Sequence, residues 1–147
     1  MKIMYRSLLV FLVLSFLCYG ACGKKGPPFI PEKSFPLRVE ALKGIAETGS
    51  VILTGAVPGA EAGSLDVAGC TIYHTRYPLD APPCDGCPVN LTKLKTLRGA
   101  VVSGDRFRCE IPEIDQAGIH FIRVRLVGEE GIEGPPSERI KLVLPDD

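Results

Sequence analysis

Tryptophan is absent from the 147 residues, histidine occurs only at positions 74 and 120, and neither sign of charge is in excess, with 17 Lys plus Arg against 17 Asp plus Glu. Without tryptophan, the core must be filled by aliphatic side chains and smaller rings. Two histidines leave little imidazole for acid–base or nucleophilic chemistry, and neither a Gly-x-Ser-x-Gly turn nor a phosphate-cradling glycine loop is present. Lys2 and Arg6 sit in the leading segment, and without them the balance is near −2, so no basic field replaces phosphate counterions and nucleic acid is excluded as a partner. The longest apolar run, Leu8 to Leu17, is about half the ~20 residues of a spanning helix. No stretch carries a sustained helical period. What is present in quantity is hydrophobic residues, 46% of the chain, enough for one domain with a core of its own.

The N-terminus reads "MKIMYR", then "SLLVFLVLSFL", then "CYGAC". A basic start, an apolar stretch and small residues are the order of a secretory signal. Gly20 and Ala21 immediately before Cys22 resemble the lipobox of bacterial lipoproteins, although Tyr19 stands where that pattern usually has Leu. Cys18 is a poor rival because Phe16 and Leu17 precede it. The resemblance implies that residues 1–21 are removed and that the Cys22 thiol becomes a thioether to diacylglycerol, with its freed amine acylated. Two or more acyl chains hold a protein stably at a bilayer, and Lys24 and Lys25 would sit among the headgroups. Gly23 stands where the best-known inner-membrane retention signal has Asp, so the outer membrane, facing the periplasm, is the expected location.

From Gly26 to Pro36 the chain reads "GPPFIPEKSFP", and four prolines with no apolar period describe a semi-stiff spacer. Residues 22–36 are therefore expected to be a lipidated tether and 37–147 the domain it carries. The stretch "CGKKGPP" also resembles the mature N-terminus of the small LptM-type lipoproteins, which associate with the lipopolysaccharide-export pore. Cys22, Gly23, Lys25, Gly26 and Pro27 match, while Pro28 replaces the usual Leu.

Beyond Pro36, short apolar segments are punctuated by Gly and Pro in the manner of an all-β sandwich. Strands are expected at about Arg38–Ile45, Ser50–Ala56, Gly69–Arg76, Leu91–Leu97, Arg106–Ile111, Ile119–Val127 and Arg139–Leu144, most alternating with period two. "GIHFIRVRLVGEEGIEGPPSERIKLVL" resembles the last two strands of a fibronectin type III domain, with their Gly-rich loop and "G-P-P-S". "GSVILTG" and "VAGCTIYHT" resemble its second and third strands. Over roughly Leu37 to Pro145 the resemblance implies an immunoglobulin-like, fibronectin type III-like sandwich of seven strands. That fold serves many unrelated purposes, so a function does not follow from it. The family's buried tryptophan falls near Gly55, leaving volume to fill, for which the cysteines are the candidates. His120 takes the place of the tyrosine that bonds back across a corner of the sandwich, and a neutral imidazole retains one N–H for that bond.

Cys70, Cys84, Cys87 and Cys109 remain, an even number that favours disulfides in an exported chain. Four cysteines allow three connectivities. By strand phase Cys70 and Cys109 both point inward, and the resemblance places their strands in opposite sheets, so a Cys70–Cys109 bridge across the core is expected. Cys84 and Cys87 in "PPCDGCPVN" are then expected to pair with each other. The alternative for that pair is thiol-redox chemistry, which uses the same spacing but needs a helix N-terminus to lower one thiol's pKa. Neither zinc nor haem attachment fits, since only one cysteine pair is close in sequence and Pro88 stands where haem attachment requires His. Glu129, Glu130 and Glu133 cluster in the loop before the last strand, without the alternating pattern of a calcium loop, and are expected to be solvated. No cofactor and no catalytic residue is expected. The reading is a non-catalytic module, lipid-anchored in the envelope and meeting an envelope protein. The alternatives are a periplasmic redox protein using Cys84 and Cys87, and an outer-membrane assembly factor acting through its tether.

Overall fold

The computed structural model describes residues 35–47, 49–60, 67–84 and 86–146. Cys22, Lys24, Lys25 and the rest of the leader and tether up to Ser34 lie outside the described residues. The chain forms β1 (Glu40–Glu47), β2 (Ser50–Ala56), β3 (Val67–Tyr77), β4 (Thr92–Arg98), β5 (Val102–Ser103), β6 (Arg106–Ile111), β7 (Gly118–Gly128) and β8 (Ile140–Leu144). Among the described residues there is no α-helix. The strands build two antiparallel sheets, ordered β1-β2-β6-β5 and β4-β3-β7-β8.

Seven of these strands are the expected ones, with bounds shifted by up to two residues. The eighth, β5, has two residues, too few for alternation to mark them. It pairs Val102 with Phe107 and Ser103 with Arg106, across a turn in which Gly104 adopts φ +59°. A two-residue hairpin needs that left-handed backbone, which glycine adopts without a Cβ clash.

The core lies between the sheets and follows the period-two signal closely. In β6, Phe107, Cys109 and Ile111 are buried while Arg106, Arg108 and Glu110 are exposed. In β7, Ile122, Val124 and Leu126 are fully buried against Cys70 and Ile72 of β3 and Leu53 of β2 in one cluster. Packing extends back to Phe35, whose ring covers Gly128 and Gly134. A Cβ on Gly128 would come within 2.7 Å of that ring.

The volume expected to be vacant near Gly55 is taken by Val39, not by a cysteine. A Cβ on Gly55 would lie 2.5 Å from Val39 Cγ1 and 2.9 Å from the Glu40 carbonyl oxygen, so no larger side chain enters there. The segment before β1 fills the space over Gly55.

The "GPPS" motif also acquires a physical reason. Pro135 and Pro136 have no N–H to donate, which interrupts the ladder along β7. Ser137 resumes it on both sides: its N–H donates to the Val124 carbonyl at 2.8 Å, and its Oγ accepts from the Val124 N–H at 3.0 Å. Its hydroxyl then donates to the Glu138 carbonyl at 2.8 Å.

Candidate functional site

The cysteines behave as two separate pairs. Cys84 and Cys87 are joined by a disulfide with a Cα–Cα separation of 5.4 Å, and the Cys87 N–H donates to the Cys84 carbonyl at 3.1 Å. The bridge closes one turn of a loop, and no helix N-terminus lies beside it among the described residues. Cys70 and Cys109 stand in opposite sheets, on β3 and β6, both buried. They are free thiols in hydrogen-bonding reach of each other, and the expected bond between them is not made in this structure. The hydrogen bond it donates to Cys70, together with burial, holds the Cys109 thiol protonated well above its ordinary range. Cys70 is lowered by accepting from Cys109, against burial, with help from the charge on Lys95.

The two histidines, 46 residues apart, form a chain of hydrogen bonds at one end of the sandwich. His120 Nε2 lies 2.8 Å from the Gln116 carbonyl oxygen, which can only accept, so Nε2 carries the hydrogen. A neutral His120 then offers Nδ1 as acceptor to His74 Nε2 at 2.9 Å. The rings stack with centroids 5.2 Å apart. His120 thus makes the corner bond expected of it, to a carbonyl four residues upstream. Burial first, then the neighbouring His120 and Arg76, lower the His74 pKa to about 4. His120 is also lowered, by burial and by Arg76, against the opposing effect of the bond to Gln116. Both imidazoles are committed to structure.

The feature with binding character is the outer face of the β4-β3-β7-β8 sheet. None of its four strands contains an Asp or Glu, although the whole chain balances its charges. Because Ile122, Val124 and Leu126 point into the core, Phe121, Arg123 and Arg125 point out. By the same alternation Tyr73 and Tyr77 face outward from β3, and Lys141 from β8. Tyr73 lies in register with Lys93 on one side and Arg123 on the other. Cations and rings alternate across the surface: the Arg125 guanidinium sits 5.8 Å from the Tyr73 ring centroid and that of Arg139 sits 5.2 Å from Phe121. Tyr77 meets Phe121 edge to face at 5.9 Å.

One carboxylate has been folded onto this face. Glu133, expected to be solvated, accepts a 2.7 Å hydrogen bond from the Tyr73 hydroxyl and lies 3.7 Å from Lys93 Nζ and 4.0 Å from Arg125 Nε. Burial works to raise its pKa, but the Tyr73 and Thr71 hydrogen bonds with the Lys93 and Arg125 charges prevail, leaving it below the usual carboxylate range. Beside it opens a groove of about 440 Å³ lined by Tyr73, Val89, Asn90, Leu91, Arg123 and Arg125. Arg123 Nε is buried at its edge with no hydrogen-bond partner among the described residues. A buried unsatisfied donor costs about 1–3 kcal/mol, more if charged, so it marks a place where an acceptor would be stabilising.

The face was not anticipated from the sequence, although its signal was there: four separated segments that each carry Lys or Arg and no acid. Topology alone assembles them into one sheet. The described residues contain no cluster of three or more metal-ligating side chains.

This two-sheet arrangement is the fold of fibronectin type III domains. The chain is similar to the third fibronectin III domain of human KIAA0343 protein, with a TM-score of 0.55 and 15% identity over 85% of this chain and 95% of that one. The sixth such domain of human fibronectin type III domain containing protein 3 is matched at TM-score 0.47 and 17% identity, covering 78% of this chain and 91% of that one. A Fn3-like protein from Clostridium thermocellum is matched at 0.43 and 15%, covering 74% and 92%. No protein-family model and no curated protein matches the chain.

Proposed function

We propose that this chain is a lipid-anchored envelope protein whose fibronectin type III-like domain binds a partner and carries out no chemistry of its own. The observation that carries the reading is the division of labour among its polar groups. Both imidazoles are consumed in a structural corner, while the outer sheet face gathers cations around aromatic rings with an unpaired donor among them. Rigid sheets presenting such a face suit recognition better than turnover.

The anchor rests on the lipobox-like residues before Cys22, and the headgroup role on Lys24 and Lys25. Attachment at Cys22 on the outer membrane would leave the domain in the periplasm, with the proline-rich residues 22–36 as spacer. Metabolic labelling with a palmitate analogue tests the anchor: label should enter the wild-type chain and be absent from Cys22→Ser. Label retained by Cys22→Ser would overturn it. Chemical crosslinking in the intact envelope followed by capture of the lipoprotein tests the binding role. The same capture after scrambling residues 23–31 should keep the partner, because the domain and not the tether holds it. Loss of every partner on scrambling would favour the assembly factor acting through its tether.

A further inference from the structure

We infer that the outer face of the β4-β3-β7-β8 sheet binds an acidic polypeptide segment, with a carboxylate of that segment seated between Arg123 and Asn90. The inference deepens the reading of the domain as a binding module by naming the chemistry of its partner.

Three observations lead to it. The four strands carry no acid, so the face attracts anions even though the chain as a whole is neutral. Glu133 shows what the face does with a carboxylate, since the loop after β7 lays it against the Tyr73 hydroxyl between Lys93 and Arg125. Beside it, the groove repeats that chemistry without its anion: Arg123 and Asn90 supply donors, Arg125 supplies charge, and the Arg123 Nε hydrogen is buried and unused.

The geometry favours an extended chain over a small ion. Lys93 and Arg123 flank Tyr73 on adjacent strands, so they stand roughly 10 Å apart at about 4.8 Å per strand. Arg123 and Arg125, two residues apart on β7, present cations about 7 Å apart, the spacing of alternate side chains in an extended peptide, so successive carboxylates meet successive cations. The planar guanidinium of Arg123 offers two parallel donors to such a carboxylate, which a lysine cannot do. Long-range attraction would speed encounter, and salt would weaken it.

The test uses the full chain and fluorescently labelled poly-L-glutamate, followed by anisotropy, with poly-L-glutamine and inorganic polyphosphate as parallel probes. Poly-L-glutamate should bind and poly-L-glutamine should not. Raising salt from about 0.1 M to about 1 M, which shortens the screening length from about 10 Å to about 3 Å, should abolish binding. Arg123→Gln should weaken it about tenfold or more, the loss expected when a charged hydrogen-bonding partner is removed. Glu133→Gln should tighten it by about threefold, because it withdraws the resident carboxylate that competes for Lys93 and Arg125. A purely structural Glu133 would not produce that gain. The double variant Arg106→Gln with Arg108→Gln, on the exposed side of β6 in the other sheet, should leave affinity unchanged.

Failure of poly-L-glutamate to bind overturns the inference, as does binding that survives Arg123→Gln but falls in the Arg106/Arg108 variant. Polyphosphate binding that is tighter than poly-L-glutamate and equally dependent on Arg123 also overturns it, in favour of a phosphate ligand. If partner capture from the envelope persists in Arg123→Gln, the binding module stands and this site on it falls.

Discussion

An imidazole that donates from one ring nitrogen and accepts at the other has no place for a further proton, and His120 is in that position between Gln116 and His74. Acid must therefore break a bond to charge the pair, and the exposed guanidinium of Arg76 opposes the added charge. Unfolded histidines take up protons from about pH 6.5 downward, whereas folded His74 does so only near pH 4. Between those values the unfolded chain holds more protons, so stability falls as the pH drops through that window. Urea midpoints measured from pH 7 to pH 4 should decline, and His74→Gln should flatten the decline. An unchanged slope in that variant would remove the histidine pair as its cause. The corner bond of His120 was expected from its resemblance to the family's tyrosine, but its partner His74, 46 residues away, appears only once β3 and β7 are paired.

Strand β8 depends on a connection that contains two consecutive prolines, and the cost of their missing N–H groups is met by a single side chain. Ser137→Ala would leave the Val124 N–H, in the centre of the core strand, without its side-chain acceptor. Loss of such a buried partner costs about 1–3 kcal/mol. Chemical denaturation should show a lower midpoint with an unchanged m-value, and a shift of a few tenths of a kcal/mol or less would mean that water replaces the hydroxyl. Seven strands were legible because most of them hide one face and expose the other, and glycine and proline mark their ends. The eighth was not, because two residues cannot display a period and only the Gly104 turn and the pairing with β6 define it.

Cys70 and Cys109 join the two sheets through the middle of the sandwich, so their redox state bears on the stability of the entire domain. In an oxidising compartment they are placed to be bridged, and refolding in a glutathione redox buffer tests this. One oxidised glutathione would exchange with the first thiol to give a mixed disulfide and one reduced glutathione, and attack by the second thiol would form the protein disulfide and release the other, so the protein loses two hydrogens in mass. With a closed loop of about 40 residues the bridge should add about 3–4 kcal/mol by loop entropy, read as a higher urea midpoint than that of Cys70→Ser with Cys109→Ser. Intact-mass measurement that finds two thiols after such refolding would establish the pair as permanently reduced. Charge is also arranged across the molecule: balanced in total, yet sorted so that one sheet is free of acids. A net count hides that sorting, which is why the near-neutral balance spoke against nucleic acid without disclosing a cationic face.

Period-two alternation, glycine and proline punctuation and the "GPPS" segment were enough to predict an all-β sandwich, because burial of one strand face is a local pattern carried by consecutive residues. The inward phase of Cys70 and Cys109 came from the same pattern. Which side chains meet was decided only by the pairing of strands far apart in sequence. Register put Lys93, Tyr73 and Arg123 in one row, the loop after β7 turned Glu133 onto them, and the approach of Val39 closed the space over Gly55. Contacts of this kind depend on distances between sheets and strands, which a linear chain does not encode residue by residue.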